Sequence, residues 1–165
     1  MLRPGGLLIS CEWGQDVTFH PDWANNGDPA LHVPNAQVFF NAVAQAFQSV
    51  RNIPPIASRI PSLLESSPLF ENVTPRVFYM PIGPWPDGMQ DMNGQEMGRA
   101  YRASLRRYAD SVKHLLYEAG WSRNNVEVLV QAFKEELTRV GGHVGGLVSS
   151  VYTVHARRVQ GVDVV

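Results

Sequence analysis

The apolar run Leu7–Trp13 constrains the fold of this chain more than any other feature. It follows an Arg-Pro-Gly-Gly turn at residues 3–6, where proline cannot continue a helix and the glycines permit positive φ. The run, LLISCEW, shows no polar alternation, which is typical of a strand buried on both faces of a sheet. A strand of that kind needs covering layers, and therefore favours an α/β fold.

The remaining elements follow from apolar spacing and from breaker residues. A polar segment, residues 14–34, is predicted to be a long loop, and Asn35 is predicted to cap the next helix. The predicted order of elements is β-α-β-α-α-β. Its later members are a helix ending near Arg51, a strand ended by Pro81, a helix over Gln95–Ala119, a helix capped by Ser122 and ended by Gly141 and Gly142, and a strand within residues 145–159.

Composition excludes several classes of protein. The chain has 165 residues, enough for one domain, with 44% hydrophobic and 18% charged residues, which indicates a globular protein. A net charge of −1 favours no nucleic-acid partner. The single cysteine excludes an internal disulfide framework and a cysteine-based zinc site. No apolar run reaches the roughly 18–20 residues that span a bilayer, so we predict no membrane segment. No signal peptide is visible and a single cysteine fits a reducing compartment, so we expect a cytoplasmic or nuclear location.

Five side chains are candidates for a functional site. Glu12 and Trp13 stand at the carboxyl end of the first strand, where open α/β sheets bind ligands, although a solvated strand end explains them equally well. His20 and His32 lie in the long loop and can titrate near neutral pH, or they can be ordinary surface histidines. Trp85, between two prolines, can close over a ligand or pack its loop onto the core.

Common cofactor and catalytic signatures are absent from the sequence. It contains no Gly-x-Ser-x-Gly elbow, no Walker loop and no His-Glu-x-x-His motif. The glycine-rich stretch GGHVGG at residues 141–146 leads into a predicted strand, whereas a phosphate-binding loop leads into a helix. We therefore predict no cofactor-binding residue and no metal ligand in this chain.

The segment LRPGGLLISCEW resembles the turn and fifth strand of class I S-adenosylmethionine-dependent methyltransferases. The similarity continues through FYMPIGPWPDG, AGWSRNNVEVLVQAFKEEL and VYTVHARR, and it covers Leu2 to about Val159. Those stretches are similar to the C-terminal half of fungal methyltransferases of the type that regulates secondary metabolism. The resemblance implies a Rossmann-like sheet whose strands five, six and seven are present here, with the last strand antiparallel and lying between the other two, plus a helical insert.

In that family the cofactor is bound by the first half of the domain, through a glycine-rich turn after strand one and an acidic residue ending strand two. This sequence contains neither. We therefore expect residues 1–160 to be a partial methyltransferase domain without its cofactor-binding half, and residues 161–165 to be a tail. A truncated gene model, one piece of a split gene or a degenerate paralogue would each explain this, with Met1 as an internal methionine or an alternative start.

Two classes of function remain open. In the first, the chain is the substrate-side half of a methyltransferase that acts on a small molecule or a protein, with Glu12, His20 or His32 as base and with Trp13, His32 and Trp85 binding the acceptor. The full-length family uses S-adenosylmethionine, which this chain alone is not expected to bind. In the second, the chain is a non-catalytic interaction module. The apolar stripes of the helical insert Gln95–Leu137 would then dock a partner helix or another copy of the chain. Without strand four, the edge of the first strand is also expected to lie open and to pair with a partner or with another copy.

Overall fold

The protein is described by a computed structural model, which covers residues 2–23, 27–83 and 92–160. Trp85 and the tail 161–165 lie outside the described residues. The strands are β1 Leu7–Trp13, β2 Thr18–Phe19, β3 Phe70–Pro81 and β4 Leu147–Arg158. The helices are α1 Pro29–His32, α2 Pro34–Arg51, α3 Ile60–Glu65, α4 Met92–Ser111, α5 Lys113–Glu118 and α6 Arg123–His143, and a 3-10 turn, Ala57–Arg59, precedes α3.

The chain divides into two compact units. The first consists of the described parts of Met1–Gly14, Pro55–Phe78 and Ser150–Val165, and the second of those of Gln15–Pro54 and Tyr79–Ser149. The first unit is built mainly from strands and the second mainly from helices. The protein is thus a mixed α/β fold, in agreement with the predicted fold class at that level.

The other three strands of the sheet all pair with β4. In the first unit it runs antiparallel to β1, from Leu7 opposite Arg157 to Trp13 opposite Val151. Its other edge pairs with β3, and the Thr153 hydroxyl donates to the Arg76 carbonyl, so β4 lies between β1 and β3. In the second unit, β4 pairs antiparallel with the two residues of β2. The sheet is therefore mostly antiparallel.

The core of the second unit lies between its helices. The rings of Phe39 on α2 and Phe133 on α6 stack with centroids 4.1 Å apart, and Phe40 meets Phe133 edge to face at 5.4 Å. Leu116 on α5 and Val130 on α6 are also buried. Apolar residues at helical spacing therefore form the core that the sequence pattern predicts.

The predicted helix ends are correct in part. Ser122 caps α6 by accepting a hydrogen bond from the N–H of Asn125 at 3.2 Å, and Gly120 follows α5 with φ of 90°. The helix predicted over 95–119 is instead α4 and α5, which are separated at Val112. The glycines expected to end α6 do not, because the helix continues to His143. The predicted loop 14–34 also contains β2 and α1.

The interpretation of β1 as a strand buried on both faces is wrong for this chain. Leu7 is 46% exposed and Ile9 is 71% exposed, and Cys11 is exposed as well. Apolar character shows that a strand can be buried, but it does not supply the layer that covers it. Among the described residues β1 pairs with β4 alone, so its second edge is an open sheet edge.

Candidate functional site

The first unit carries Glu12 and Trp13 at the carboxyl end of β1, as the sequence predicts. Glu12 is exposed, stands opposite Tyr152 of β4 and accepts a hydrogen bond from the Ser10 hydroxyl at 3.2 Å. Trp13 is half-buried opposite Val151. Glu12 is therefore an exposed carboxylate at a strand end, and among the described residues its hydrogen bond comes from a serine two residues away.

One face of the first unit's sheet forms a shallow groove of about 630 Å³. Leu7 and Ile9 of β1 line it beside their β4 partners Arg157 and His155, and Thr74 of β3 lines the other side. The Arg157 guanidinium donates to the Gly5 carbonyl at 3.2 Å. The groove thus combines an apolar strip with basic side chains.

The second unit holds His20 against an aromatic ring. The His20 ring meets Tyr79 edge to face, with centroids 5.0 Å apart, and the His20 side chain is only 16% exposed. Its Nδ1 accepts the main-chain N–H of Asp22 at 3.2 Å, and an Asp22 carboxylate oxygen lies 3.7 Å from the same nitrogen. In the neutral ring this hydrogen bond places the lone pair at Nδ1 and the N–H at Nε2, so His20 can offer a hydrogen-bond donor through Nε2.

His32 lies in the same unit at the end of α1. Its exposed ring meets Phe19 edge to face at 5.5 Å, and its carbonyl accepts a hydrogen bond from Arg139 at 2.8 Å. His20 and His32 are thus each placed on an aromatic neighbour, Tyr79 and Phe19, around the short strand β2. Trp85 lies outside the described residues, so its position relative to these two histidines is not described.

Trp23 lies beside His20, whose carbonyl accepts the Trp23 N–H at 2.9 Å. We use the name histidine–aromatic cluster for the His20–Tyr79 and His32–Phe19 ring pairs together with Trp23. The Trp23 ring lies directly on Gly146, because a Cβ built there would come within 2.3 Å of the ring. Gly146 also has φ of 74°, and its carbonyl accepts the N–H of His20 at 2.8 Å. Phe19, Trp23 and Tyr79 are not among the candidates that the sequence predicts. Trp23 stands three residues from His20, and that proximity was the one available signal.

Two further polar groups in the second unit are structural. Burial raises the pKa of Tyr108 to about 12, and Gln15 donates to its hydroxyl at 3.3 Å, so the phenol remains neutral at physiological pH. Arg102 donates to the Ile82 carbonyl, and burial lowers the pKa of its guanidinium. Both side chains tie helix α4 to neighbouring segments and bring no reactive group to the cluster.

A network of exposed charges joins α4, α5 and α6. Asp110 lies 2.6 Å from the Lys134 ammonium and 3.5 Å from Lys113, which also lies 2.7 Å from Glu127. The hydrogen bond from Lys134 lowers the pKa of the Asp110 carboxyl, and that from Lys113 lowers the pKa of Glu127. Exposed ion pairs of this kind contribute little to stability and are weakened by salt.

Within residues 2–23, 27–83 and 92–160, no three His, Cys, Asp or Glu side chains converge as metal ligands would. In the same ranges, no helix is both long and apolar enough to cross a bilayer. No protein-family model matches the chain, and a search of curated proteins found no match.

Proposed function

We propose that this chain is the acceptor-side part of a class I S-adenosylmethionine-dependent methyltransferase, of the fungal type associated with secondary metabolism. The observation that carries the proposal is the strand order. The last strand, β4, lies between β1 and β3 and runs antiparallel to β1. Strands five, seven and six of the family are arranged in that way, so β1, β3 and β4 correspond to strands five, six and seven.

In this proposal the chain binds and positions the methyl acceptor. Glu12 and His20 are the candidate catalytic groups, and Trp13, His32 and Trp85 are the candidate acceptor-binding residues. Methyl transfer requires a nucleophile that is held in line with the methyl group and protected from water. Aromatic side chains provide flat apolar surfaces for such binding. The Glu12 carboxylate can remove a proton from the acceptor, and the Nε2–H of His20 can donate a hydrogen bond to it.

The cofactor residues of the family have no counterpart in this sequence. The glycine-rich stretch 141–146 leads into β4 and not into a helix, so it offers no helix N-terminus to an anionic or polar cofactor group. We therefore propose that another segment, of the same gene or of a separate one, supplies the S-adenosylmethionine site. The methyl acceptor is a small molecule or a protein, and the proposed location is the cytoplasm or the nucleus.

Transcript sequencing combined with calorimetry tests this proposal. We expect a reading frame upstream of the Met1 codon, or a co-expressed gene, that encodes a strand followed by Gly-x-Gly-x-Gly. Its product, purified together with this chain, is expected to bind S-adenosylhomocysteine. A complete set of transcripts with no such segment, or an assembled product that binds neither cofactor form, would contradict the proposal.

A second candidate function is a non-catalytic interaction module. The observation that favours it is the exposure of β1, whose Ile9 is 71% exposed on an edge strand. Exposed apolar edge strands pair readily with other chains. This function predicts a specific partner strand, from another protein or from a second copy, and no methyl transfer. Absence of cofactor binding by every product of the gene, together with a defined complex, distinguishes it from the first.

A further inference from the structure

The open edge of β1 can pair with the same edge of a second copy of this chain. We propose that β1 pairs antiparallel with β1 of a second copy of this chain, across a twofold axis that passes through Ile9. The inference concerns the chain in its 165-residue form and does not depend on methyl transfer. It goes beyond the proposed function because it names the occupant of the edge and the register of pairing.

The main-chain groups of β1 that point away from β4 can be identified from the hydrogen bonds at its two ends. Gly14 donates to the Ser150 carbonyl and Arg158 donates to the Gly6 carbonyl, both at 2.9 Å. Hydrogen-bonded pairs alternate along an antiparallel ladder, so the even-numbered residues of β1 bond to β4. The N–H and C=O groups of Leu7, Ile9 and Cys11 therefore point to the open edge.

One symmetric register pairs all three of these residues. With Ile9 opposite Ile9 of the second copy, Leu7 stands opposite Cys11 and Cys11 opposite Leu7. Each such pair exchanges two main-chain hydrogen bonds, which gives about six across the interface. Directly opposite side chains lie on the same face of a sheet, so the exposed Ile9 side chains of the two copies cover one another.

The edge carries few of the features that prevent strand pairing. Between Leu7 and Trp13 there is no lysine, arginine or proline, and Glu12 is the only charged residue. The ladder with β4 runs without a bulge from Leu7 to Trp13. A regular strand edge of this kind is a template for another strand.

Charge distribution favours a second copy in antiparallel orientation. Arg3 and Glu12 are both exposed at opposite ends of β1, and neither has an ion-pair partner among the described residues. In the proposed register Glu12 stands opposite Gly6 of the second copy, whose N–H donates to the carbonyl of Arg3. Each carboxylate thereby approaches the guanidinium of the other copy, and the twofold axis repeats this attraction at both ends.

Disulfide crosslinking tests the register. Ile9→Cys in a Cys11→Ser background places two thiols directly opposite, with Cα atoms about 5.5 Å apart, which a disulfide can bridge. Leu7→Cys in the same background is the matched control, because its two thiols would be about 14 Å apart along the strands. Leu7→Cys with native Cys11 retained is expected to crosslink again. Efficient crosslinking of the control without Cys11, or none in the other two variants, overturns the register.

Sedimentation velocity tests the assembly itself. We expect the 165-residue chain to form a dimer at micromolar concentration and Ile9→Lys to sediment as a monomer with an unchanged circular dichroism spectrum, because residue 9 is exposed in the single copy. Glu12→Arg is expected to weaken the dimer about tenfold, and Glu12→Arg with Arg3→Glu to restore it. A wild-type monomer at 100-micromolar scale, or a dimer that survives Ile9→Lys, overturns the proposal. Neither result bears on cofactor binding, so the methyltransferase proposal is judged separately.

Discussion

The Glu136 carboxylate of α6 accepts the main-chain N–H of Ala36, in the first turn of α2, at 2.6 Å. Its other oxygen accepts the N–H and the side-chain amide of Asn35 at 3.2 and 3.0 Å. Glu136 is 4% exposed, and the residue before α2, Val33, offers no side-chain cap. A buried carboxylate 100 residues away thus satisfies the N-terminal amides of α2, where the helix dipole also favours negative charge.

Removing this carboxylate is predicted to destabilise the second unit. Glu136→Ala leaves the buried Ala36 amide and the part-buried Asn35 amide without this acceptor, and it is expected to cost about 1–3 kcal/mol in the free energy of unfolding. Glu136→Gln is expected to lose less, because its amide oxygen still accepts one of the bonds. Urea denaturation measures both, and Glu135→Gln on the exposed neighbour is the control, with an expected change within about 0.5 kcal/mol. Equal stability of Glu136→Ala and wild type would refute the capping role.

The Gly146 turn provides a second prediction. Gly146→Ala puts a Cβ into the Trp23 ring and also strains a residue with φ of 74°. Gly120→Ala is the matched control, because Gly120 has φ of 90° but no atom within 4 Å of the added Cβ. The control should lose about 1–2 kcal/mol of stability from backbone strain alone. Thermal unfolding should show a clearly larger loss for Gly146→Ala, and equal losses would mean that Trp23 does not rest on Gly146.

Because the pKa of Tyr108 is raised, we expect the free energy of unfolding to fall at alkaline pH. Burial raises its pKa from 10.0 to about 12 in the folded protein, so between these values the unfolded chain releases a proton that the folded chain retains. The contribution of Tyr108 to stability is therefore complete below pH 10 and is lost as the pH rises through 12. Urea midpoints at pH 9 and pH 11 should fall more for wild type than for Tyr108→Phe. Parallel falls in the two proteins would show that the phenol is not protected by burial.

Local signals in the sequence explain the parts of the fold that were predicted correctly. The Ser122 cap and the positive φ of Gly120 depend on residues close by in the sequence, so the helix ends that they mark could be predicted. The cap of α2 could not, because Asn35 is a good capping residue by type while Glu136 supplies the hydrogen bonds from a distant helix. The separation of α4 from α5 at Val112 has no glycine or proline to signal it.

For the candidate site, the position of Glu12 could be predicted from the sequence, but the partners of the histidines could not. Glu12 was predicted because it stands at the end of a strand. In the structure it lies at that strand end and is exposed. The partners of His20 and His32, Tyr79 and Phe19, depend on how β2 and Tyr79 are brought together in the second unit, and no local pattern encodes that. The predicted burial of β1 is wrong because apolar residues show that a strand can be covered, but they do not show that a covering segment is present among the described residues.

Calorimetric titration of the 165-residue chain with S-adenosylmethionine and S-adenosylhomocysteine tests the central claim most directly. The claim is that β1, β3 and β4 are the acceptor-side strands of a methyltransferase whose cofactor site lies in another segment. It predicts no heat of binding for either compound at millimolar concentration, and binding once the segment with the glycine-rich turn is added. Micromolar binding by this chain alone would contradict the assignment of its strands.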